Sequence, residues 1–301
     1  MIKDILRKIK LFVNEPCCAV GFVDNSNFKE TPIKPQVNWI KGVPKDRWYA
    51  DPFILNITNS TIEVLVERFR YEDGKGVLSR IEIDRSDNRL IKENVILELP
   101  THLSFPFIYE DGGKTYVIPE NYQSGALSIY EYDKESDTLI NPQVLIKESL
   151  VDAVCQKIDG VYYIFAIKFC DDFQQAARTL YIYRAEQLKG DYSLIQVVDY
   201  NRSEARGAGN IICVDGKYFR PSQDCEGGYG RSVIFSELNF LDSYISIKEV
   251  KRLFPLRGRY SEGLHTYNQK GGITVVDGIG YRRGIFSKLV TSIYKRIKAI
   301  I

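Results

Sequence analysis

The sequence has few of the residues on which metal sites and disulfide frameworks are built. Of its 301 residues only two are histidine and six are cysteine, and Cys17, Cys18, Cys155, Cys170, Cys213 and Cys225 form neither a C-x-x-C pair nor a densely spaced set. That distribution argues against a disulfide scaffold and against a structural zinc site. We therefore expect free thiols in a reducing compartment, with neither a metal nor a cofactor.

Long hydrophobic runs and a charge excess of either sign are also absent. No segment approaches the roughly 18 consecutive apolar residues of a membrane-spanning helix, and the first residues lack the apolar core of a secretory signal. With 41 Lys and Arg against 39 Asp and Glu, the formal net charge is +2, which gives no reason to expect a nucleic-acid partner. The sequence predicts a cytoplasmic protein.

Both ends of the chain carry basic amphipathic segments. In residues 1–14 and again in residues 284–301, apolar residues recur at helical spacing while lysines and arginines occupy the other side. We predict a short helix in each segment. Such helices either lie on an anionic membrane surface or pack on the domain with their lysines solvated, and both alternatives stay open.

Between these segments the pattern is typical of an all-β protein. The chain contains 20 Tyr and 15 Phe against one Met, and its short apolar or alternating runs are separated by Gly, Asn and Asp turns. Strands of this length and spacing are typical of a barrel, a sandwich or a propeller. The clearest predicted strands cover residues 62–68, 76–83, 114–119, 127–132, 161–167, 180–184, 216–220 and 232–238.

A repeat of about 50 residues distinguishes among the barrel, the sandwich and the propeller. Five segments share a layout of a small or acidic residue with apolar neighbours, and they are centred on Asp51, Phe105, Asp152, Ala208 and Glu262. The spacings between these residues, 54, 47, 56 and 54, are close to the length of one four-stranded blade. We therefore predict a five-bladed β-propeller over residues 38–280, with a two-sheet sandwich as the alternative.

The repeat also predicts where the chemistry lies, because the innermost strand of every blade lines one central channel. Asp51, Asp152 and Glu262 take equivalent positions in blades one, three and five. Several carboxyl groups in one cleft suit glycoside chemistry, in which one is kept protonated as the acid while another acts as base or nucleophile. These three are our candidate catalytic residues. The alternative for each is a carboxylate that caps a turn.

Further polar residues fall near the ends of the predicted inner strands and are candidate substrate contacts. They come from blades two, four and five, and the set is His102, Glu120, Arg206, Arg220, Gln223, Asp224, Tyr229 and His265. Arginines aimed into a cleft suit phosphate, carboxylate or sugar hydroxyl groups. The alternatives are structural, namely an Arg–Asp pair that holds a blade or a histidine satisfied within the fold. No helix pattern follows Gly207 and Gly209, so we interpret them as blade turns rather than a dinucleotide fingerprint.

These motifs together resemble a known family. Ala-Asp-Pro-Phe at residues 50–53, Val-Ile-Pro-Glu at 117–120, Arg-Gly-Ala-Gly at 206–209 and Gly-Leu-His-Thr at 263–266 are similar to the N-terminal domain of glucosamine inositolphosphorylceramide transferases and its stand-alone bacterial relatives. The resemblance runs from about Asn38 to Gly278. It extends to the five-bladed propellers of family 43 and family 32 glycoside hydrolases, and implies that Asp51 is the base or nucleophile and Asp152 a second acid. Glu204, Asp224 and Glu262 are the candidates for the general acid.

The resemblance implies a carbohydrate-active function with three alternatives. The first is an enzyme of cell-surface glycan or glycolipid assembly, held at the inner face of the membrane by its terminal helices, that transfers a glycosyl group to a lipid-linked or polysaccharide acceptor. The second is a glycoside hydrolase. The third is a non-catalytic glycan-binding module, in whose cleft aromatic platforms would outnumber ionisable groups. The expected partners are a sugar nucleotide or a glycan and an anionic membrane surface.

Overall fold

The computed structural model shows a five-bladed β-propeller, which confirms the prediction from the repeat. It describes residues 15–23, 28–29, 31–241, 243–255 and 258–282, so both predicted terminal helices lie outside the described residues. The helical elements of these ranges are a 3₁₀ turn η1 (Tyr122–Ser124) and one short helix α1 (Phe173–Ala176). Within the same ranges, no helix has the length and hydropathy needed to span a bilayer.

Four of the blades are built from strands that follow one another in the chain, and every sheet is antiparallel with its first strand at the axis. Each of the eight predicted strands overlaps one of these strands. Blade one contains β3 (Arg47–Ile57), β4 (Thr61–Arg70), β5 (Gly76–Asp84) and β6 (Leu90–Leu97), and blade two contains β7 (Ser104–Asp111), β8 (Lys114–Glu120), β9 (Leu127–Asp133) and β10 (Thr138–Ile146). Blade three contains β11 (Leu150–Ile158), β12 (Val161–Lys168), β13 (Thr179–Ala185) and β14 (Ser193–Asp199), and blade four contains β15 (Ile212–Val214), β16 (Lys217–Asp224), β17 (Ser232–Phe240) and β18 (Ile245–Leu253).

Blade five closes the ring with strands from both parts of the chain. Its order is β19 (Tyr267–Lys270), β20 (Ile273–Tyr281), β1 (Pro16–Val23) and β2 (Val37–Trp39). Strand β1 pairs with β20 over its full length, with Val20 opposite Asp277. The propeller therefore begins at Pro16 rather than at the predicted boundary near residue 38, because the fifth blade needs two more strands than the fifth repeat supplies.

Short turns with left-handed backbone connect the inner strand to the second strand in blades two to five. Asp159 and Gly160 have φ of 49° and 85°, and Asp215 and Gly216 have φ of 52° and 73°. Positive φ at both central residues is the requirement of a type I′ hairpin, which Asp-Gly meets at little cost. The two Asp-Gly sequences therefore form turns between strands, as the sequence pattern predicts.

The core lies between neighbouring blades, since each sheet can bury its faces only against the next one. Phe53 of blade one packs edge-on against Phe105 and Phe107 of blade two, with ring centroids 5.0 and 6.0 Å apart. Phe235 of blade four packs in the same way on Tyr267 of blade five at 5.0 Å. Aromatic contacts of this kind fill the space between neighbouring blades.

Candidate functional site

In blades one to three the inner strand has an irregular backbone near its start, at equivalent positions of the repeat. Asp51, Phe105 and Asp152 have φ of 49°, 43° and 50°, and in each strand two residues stand opposite one residue of the partner. Such bulges turn a side chain out of the regular alternation, and positive φ is uncommon outside glycine. The bulges mark one end of the propeller, which we call the cleft face.

Asp51 lies against a histidine that is shared with a second aspartate. Asp51 Oδ1 is 3.2 Å from His265 Nε2, and Asp277 Oδ1 is 2.9 Å from His265 Nδ1. Asp51 also accepts hydrogen bonds from Thr266 Oγ1 at 3.0 Å and from the Phe105 amide at 3.2 Å. Its own amide donates to Asp277 Oδ2 at 2.9 Å. We call Asp51, His265 and Asp277 the buried triad, since all three are at most 4% exposed.

The two carboxylates decide the charge of the histidine. Burial alone would lower the pKa of His265, but contacts with Asp277 and then with Asp51 outweigh it and raise the pKa to about 10. Tyr229 is the other titratable ring beside it, with ring centroids 5.1 Å apart. His265 is therefore an imidazolium at neutral pH. It belongs to blade five and pairs with Asp51 across the boundary with blade one.

The charge of His265 should make the stability of the fold depend on pH. Its folded pKa of about 10 lies above the ordinary value of about 6.5, so its contribution is complete below pH 6.5 and is lost as the pH rises towards 10. Each unit between the two pKa values corresponds to about 1.4 kcal/mol. We expect the free energy of unfolding, measured in urea, to fall over this interval, and to fall less steeply in a His265→Gln variant.

His102 provides the matched control, because its pKa is lowered by burial rather than raised. A His102→Gln variant should keep the wild-type slope between pH 7 and 10. Equal slopes for the wild type and His265→Gln would contradict the charged state that we assign to His265.

The buried triad could hold a metal ion by position alone, because one ligand atom from each residue lies within 4.8 Å of the others. However, each ring nitrogen of His265 already faces a carboxylate oxygen. A cation would compete with the imidazolium protons for those same oxygens. The arrangement therefore favours a charged histidine over a resident ion.

A second cluster surrounds Asp152, in blade three. Asp152 Oδ2 accepts from Arg206 Nε at 2.6 Å and from Gln223 Nε2 at 3.1 Å, and its amide donates to Glu120 Oε2 at 3.2 Å. Gly207 allows this contact between blades, because a Cβ there would lie 2.5 Å from the Asp152 carbonyl oxygen. Arg206 thus pairs with a carboxylate, yet 12% of its side chain stays exposed.

Two further carboxyl groups have raised pKa values. Burial raises the pKa of Glu67 well above its ordinary value, and the nearby carboxyl groups of Asp51 and Glu120 raise it further. Burial and the neighbouring Asp152 do the same for Glu120. The cleft face therefore combines two carboxyl groups of raised pKa, Glu67 and Glu120, with others that pair with His265 and Arg206.

His102 lies between Glu67 and solvent. Its Nδ1 accepts the Gly76 amide hydrogen at 2.9 Å, and its Nε2 lies 3.4 Å from Glu67 Oε1. Since burial also lowers the pKa of His102, the neutral ring carries its proton on Nε2 and can donate towards Glu67. With 32% of the side chain exposed, His102 connects Glu67 to solvent.

Aromatic pairs surround these polar groups at the ends of the second strands. Trp48 stacks on Phe69 with centroids 4.7 Å apart, and Tyr122 stacks on Phe169 at 4.1 Å. The Arg206 guanidinium lies 5.1 Å from the Tyr229 ring and 5.4 Å from that of Phe173. Flat aromatic faces beside polar groups suit the apolar faces of sugar rings.

Three candidates from the sequence lie elsewhere than predicted. Glu262 is exposed and precedes the residue that pairs across the sheet, Gly263, so it is not the equivalent of Asp51. Arg220 is buried and donates to the Ala205 carbonyl oxygen. Asp224 accepts from Arg252 Nη1 at 2.8 Å and from Ser232. Arg220 and Asp224 therefore hold blade four together rather than face the cleft.

Two residues of the site were missed by the sequence analysis. Glu67 stands opposite Ala50 as Glu120 stands opposite Ser104, so the repeat itself contains the signal for it. Asp277 lies in the sequence Val-Val-Asp-Gly at residues 275–278, which has the form of a strand followed by a turn. Only the pairing of β20 with β1 and the approach of blade one show that it faces His265.

The chain is similar to proteins named for a glycosyl transfer. A sequence profile described as glucosamine inositolphosphorylceramide transferase 1, N-terminal, matches residues 41–269. The transferase of that name from Oryza sativa subsp. japonica is 29% identical over 143 residues, covering 46% of this chain and 19% of the relative. The one from Arabidopsis thaliana is 26% identical over 178 residues, covering 58% and 23%. The chain thus spans about a fifth of the length of these curated relatives.

A search of solved structures finds propellers of a glycoside hydrolase family. A GH43 β-1,3-galactosidase solved with galactodeoxynojirimycin has a TM-score of 0.55 at 12% identity, covering 73% of this chain and 83% of that one. At such low identity the likeness shows the fold alone. It agrees with the five blades described above.

Proposed function

The chain belongs to the family of the glucosamine inositolphosphorylceramide transferase 1 N-terminal domain, and on that premise we propose that it is an enzyme which transfers a glycosyl group. The acceptor would be a lipid-linked glycan or a polysaccharide in the assembly of the cell surface. The names of its relatives support transfer, and the five-bladed fold supports action on carbohydrate.

One observation carries the proposal, namely that four buried carboxyl groups share the cleft face but have different partners. Asp51 faces His265 and Asp152 faces Arg206, whereas burial raises the pKa of Glu67 and Glu120 well above the ordinary value. Neighbouring carboxyl groups with separated roles are the usual basis of acid and base catalysis at a sugar carbon.

In the proposed reaction Asp51 acts as the base. It takes the proton of an acceptor hydroxyl group while that oxygen forms a bond to the anomeric carbon, and the bond from this carbon to the leaving group breaks. Glu120, beside Asp152 and Arg206, is placed to give a proton to the leaving oxygen. His265 and Thr266 orient the Asp51 carboxylate, and Arg206 stabilises negative charge on the departing group.

The composition of the cleft face also speaks for catalysis rather than binding alone. Seven ionisable side chains converge there, and most are buried: Asp51, Glu67, Glu120, Asp152, Arg206, His265 and Asp277. Burying so many charges costs folding free energy, which a module that only holds a sugar avoids by using aromatic platforms and a few hydrogen bonds.

The described residues next to the two basic segments lie on the side of the cleft face. Glu15 and Arg282 lie together, since the Arg282 amide donates to the Glu15 carbonyl oxygen at 2.9 Å and the side chains pair at 3.0 Å. The described residues that adjoin the two basic segments in the sequence therefore lie at one point of the propeller. We propose that the two basic segments bind an anionic membrane surface at its cytoplasmic side, which would bring a lipid-linked acceptor to the cleft.

A transfer assay tests the proposal. The full chain would be incubated with isotope-labelled sugar nucleotides and with acceptor glycolipids in vesicles of anionic or neutral lipid, and products would be identified by mass spectrometry. We expect a new glycoside that needs the acceptor and forms faster on anionic vesicles.

The same assay distinguishes the alternatives. Free sugar released from glycans at a rate that no acceptor changes would replace transfer by hydrolysis. Saturable binding of a glycan without any product would show a binding module and end the proposal of an enzyme.

A further inference from the structure

A large cavity opens on the cleft face between blades one and five. Its volume is about 640 Å³, and its walls come from β1, the start of β3 and the segments around Tyr71, Tyr260 and Arg282. Sites for small organic ligands commonly enclose about 300 to 1,000 Å³. The cavity is therefore large enough for a substrate group, and none of the steps proposed above uses it.

The cavity adjoins the buried triad. Cys18 in its wall pairs with Ile279, two residues beyond Asp277, and Trp48 in the opposite wall lies three residues before Asp51 on the same strand. The thiol is close enough for the charges of Asp277, Glu67 and Asp51 to raise its pKa, in addition to the larger effect of burial. A ligand that reaches Asp51 with its sugar can extend into the cavity with the rest of the molecule.

The lining of the cavity is positively charged. Four basic side chains line it, and the described residues that complete the lining include no carboxylate. Arg47 is neutralised, since it donates to Glu93 at 3.0 Å and to Asp46 at 2.9 Å, and Arg282 pairs with Glu15. Lys45 and Arg259 are exposed and, within the described ranges, form no ion pair. Two positive charges in the cavity are therefore uncompensated.

The position of the two cations selects one kind of ligand. A neutral glycan would gain little from two cations, whereas an anion would be attracted to this part of the cleft face and repelled by the carboxyl groups around Asp51 and Asp152. Flexible cations beside aromatic rings such as Trp48 and Tyr260 are suited to phosphate oxygens and to a group that stacks.

We propose that this cavity binds the phosphate or diphosphate of an activated sugar, with Lys45 and Arg259 as its ligands, while the sugar itself contacts Asp51. The inference rests on the proposed function and names its donor class. The leaving phosphate oxygen then takes both electrons of the broken bond to the anomeric carbon and the proton from Glu120, and the two cations stabilise the charge that remains on the phosphate. Nucleotide sugars and sugars on a lipid phosphate share this chemistry.

Equilibrium binding by calorimetry tests the site. The probes are pyrophosphate, UDP and geranyl phosphate, and the proteins are the wild type, a Lys45→Gln/Arg259→Gln double variant and an Arg85→Gln control. Arg85 follows β5 at the opposite end of blade one, where it donates to the Thr58 carbonyl oxygen. We expect at least one phosphate probe to bind, with affinity reduced at least tenfold in the double variant and unchanged in the control.

The pattern of probes identifies the source of the phosphate. Preference for UDP indicates a nucleotide sugar, and preference for geranyl phosphate indicates a lipid-linked donor. The site is refuted if no phosphate probe binds the wild type, or if the double variant binds as tightly as the control does.

The inference and the proposed function can fail separately. An Asp51→Asn variant should bind the phosphate probes as the wild type does but should transfer sugar at least about a hundredfold more slowly. Charge-dependent binding without transfer by the wild type would keep the anion site and refute the enzyme. Transfer by the double variant with an unchanged KM for the donor would refute the anion site and keep the enzyme.

Discussion

Replacing Asp51 by Asn is expected to lower the rate of glycosyl transfer by about 10²- to 10⁴-fold, the usual contribution of a general base. The substitution keeps the shape of the side chain but removes its ability to take a proton. Asn at φ of 49° is among the residues that accept a left-handed backbone, so the bulge should persist. The rate is measured by product formation at saturating donor and acceptor.

Asp159→Asn is the matched control for this prediction. Asp159 has the same φ of 49° and is an exposed turn residue, so its substitution tests the backbone without touching the cleft. We expect wild-type activity and nearly unchanged thermal unfolding for Asp159→Asn. Asp51→Asn should lower the unfolding temperature, because it leaves the His265 imidazolium with one carboxylate partner in place of two, so both rates are compared at a temperature at which circular dichroism shows the variants folded. An Asp51→Asn protein with more than a tenth of the wild-type rate would remove Asp51 from the role of base.

Replacing Asp137 by Ala is expected to lower the free energy of unfolding by about 2 to 3 kcal/mol, because it leaves Arg80 without its main partner. Arg80 of blade one donates to Asp137 of blade two through two hydrogen bonds, Nε to Oδ1 at 2.8 Å and Nη2 to Oδ2 at 2.7 Å. Tyr132 and Asn94 donate to the same carboxylate. The expected loss is below that for a fully buried pair because the Asp137 side chain is 16% exposed.

Chemical denaturation at two pH values measures this effect. Burial would raise the pKa of Asp137, but the hydrogen bonds from Arg80 and its neighbours lower it to about 2. Its contribution is therefore present above an unfolded pKa of about 4 and is lost as the pH falls towards 2. Asp133→Ala, in the same turn but bonded only to its neighbours Glu135 and Ser136 among the described residues, should cost less than about 1 kcal/mol. An equal loss for both variants would show that Asp137 does not join the blades.

The number of blades follows from the sequence because each blade must solve the same packing problem. The Asp-Gly turns and the alternating strands repeat that solution, as at residues 159 and 215, and local patterns of this kind are visible without a structure. Asp51 and Asp152 were found for the same reason, since each opens an inner strand and the repeat aligns them.

Other parts of the site depend on contacts between distant segments. Glu262 was aligned with Asp51 by spacing, but the fifth inner strand starts later, and the buried acid of that blade is Asp277 on the second strand. The membership of β1 in blade five is likewise invisible locally, since Pro16–Val23 has the same alternation as any other strand. The role of Asp277 and the membership of β1 in blade five depend on which sheets pack against each other. The sequence of a single repeat does not contain that information.

Closure of the ring by β1 and β20 has a consequence for how the protein folds. The pairing joins residues 16–23 to residues 274–281, a sequence separation that makes it the most costly contact in chain entropy and hence a late event. Asp51 of blade one and His265 of blade five lie at the boundary between the first and the last blade, which this pairing completes. The proposed base therefore meets its imidazolium only when the last blade is complete, so the onset of activity during refolding should report ring closure, and chains that stop short of β20 should fold their first blades but remain inactive.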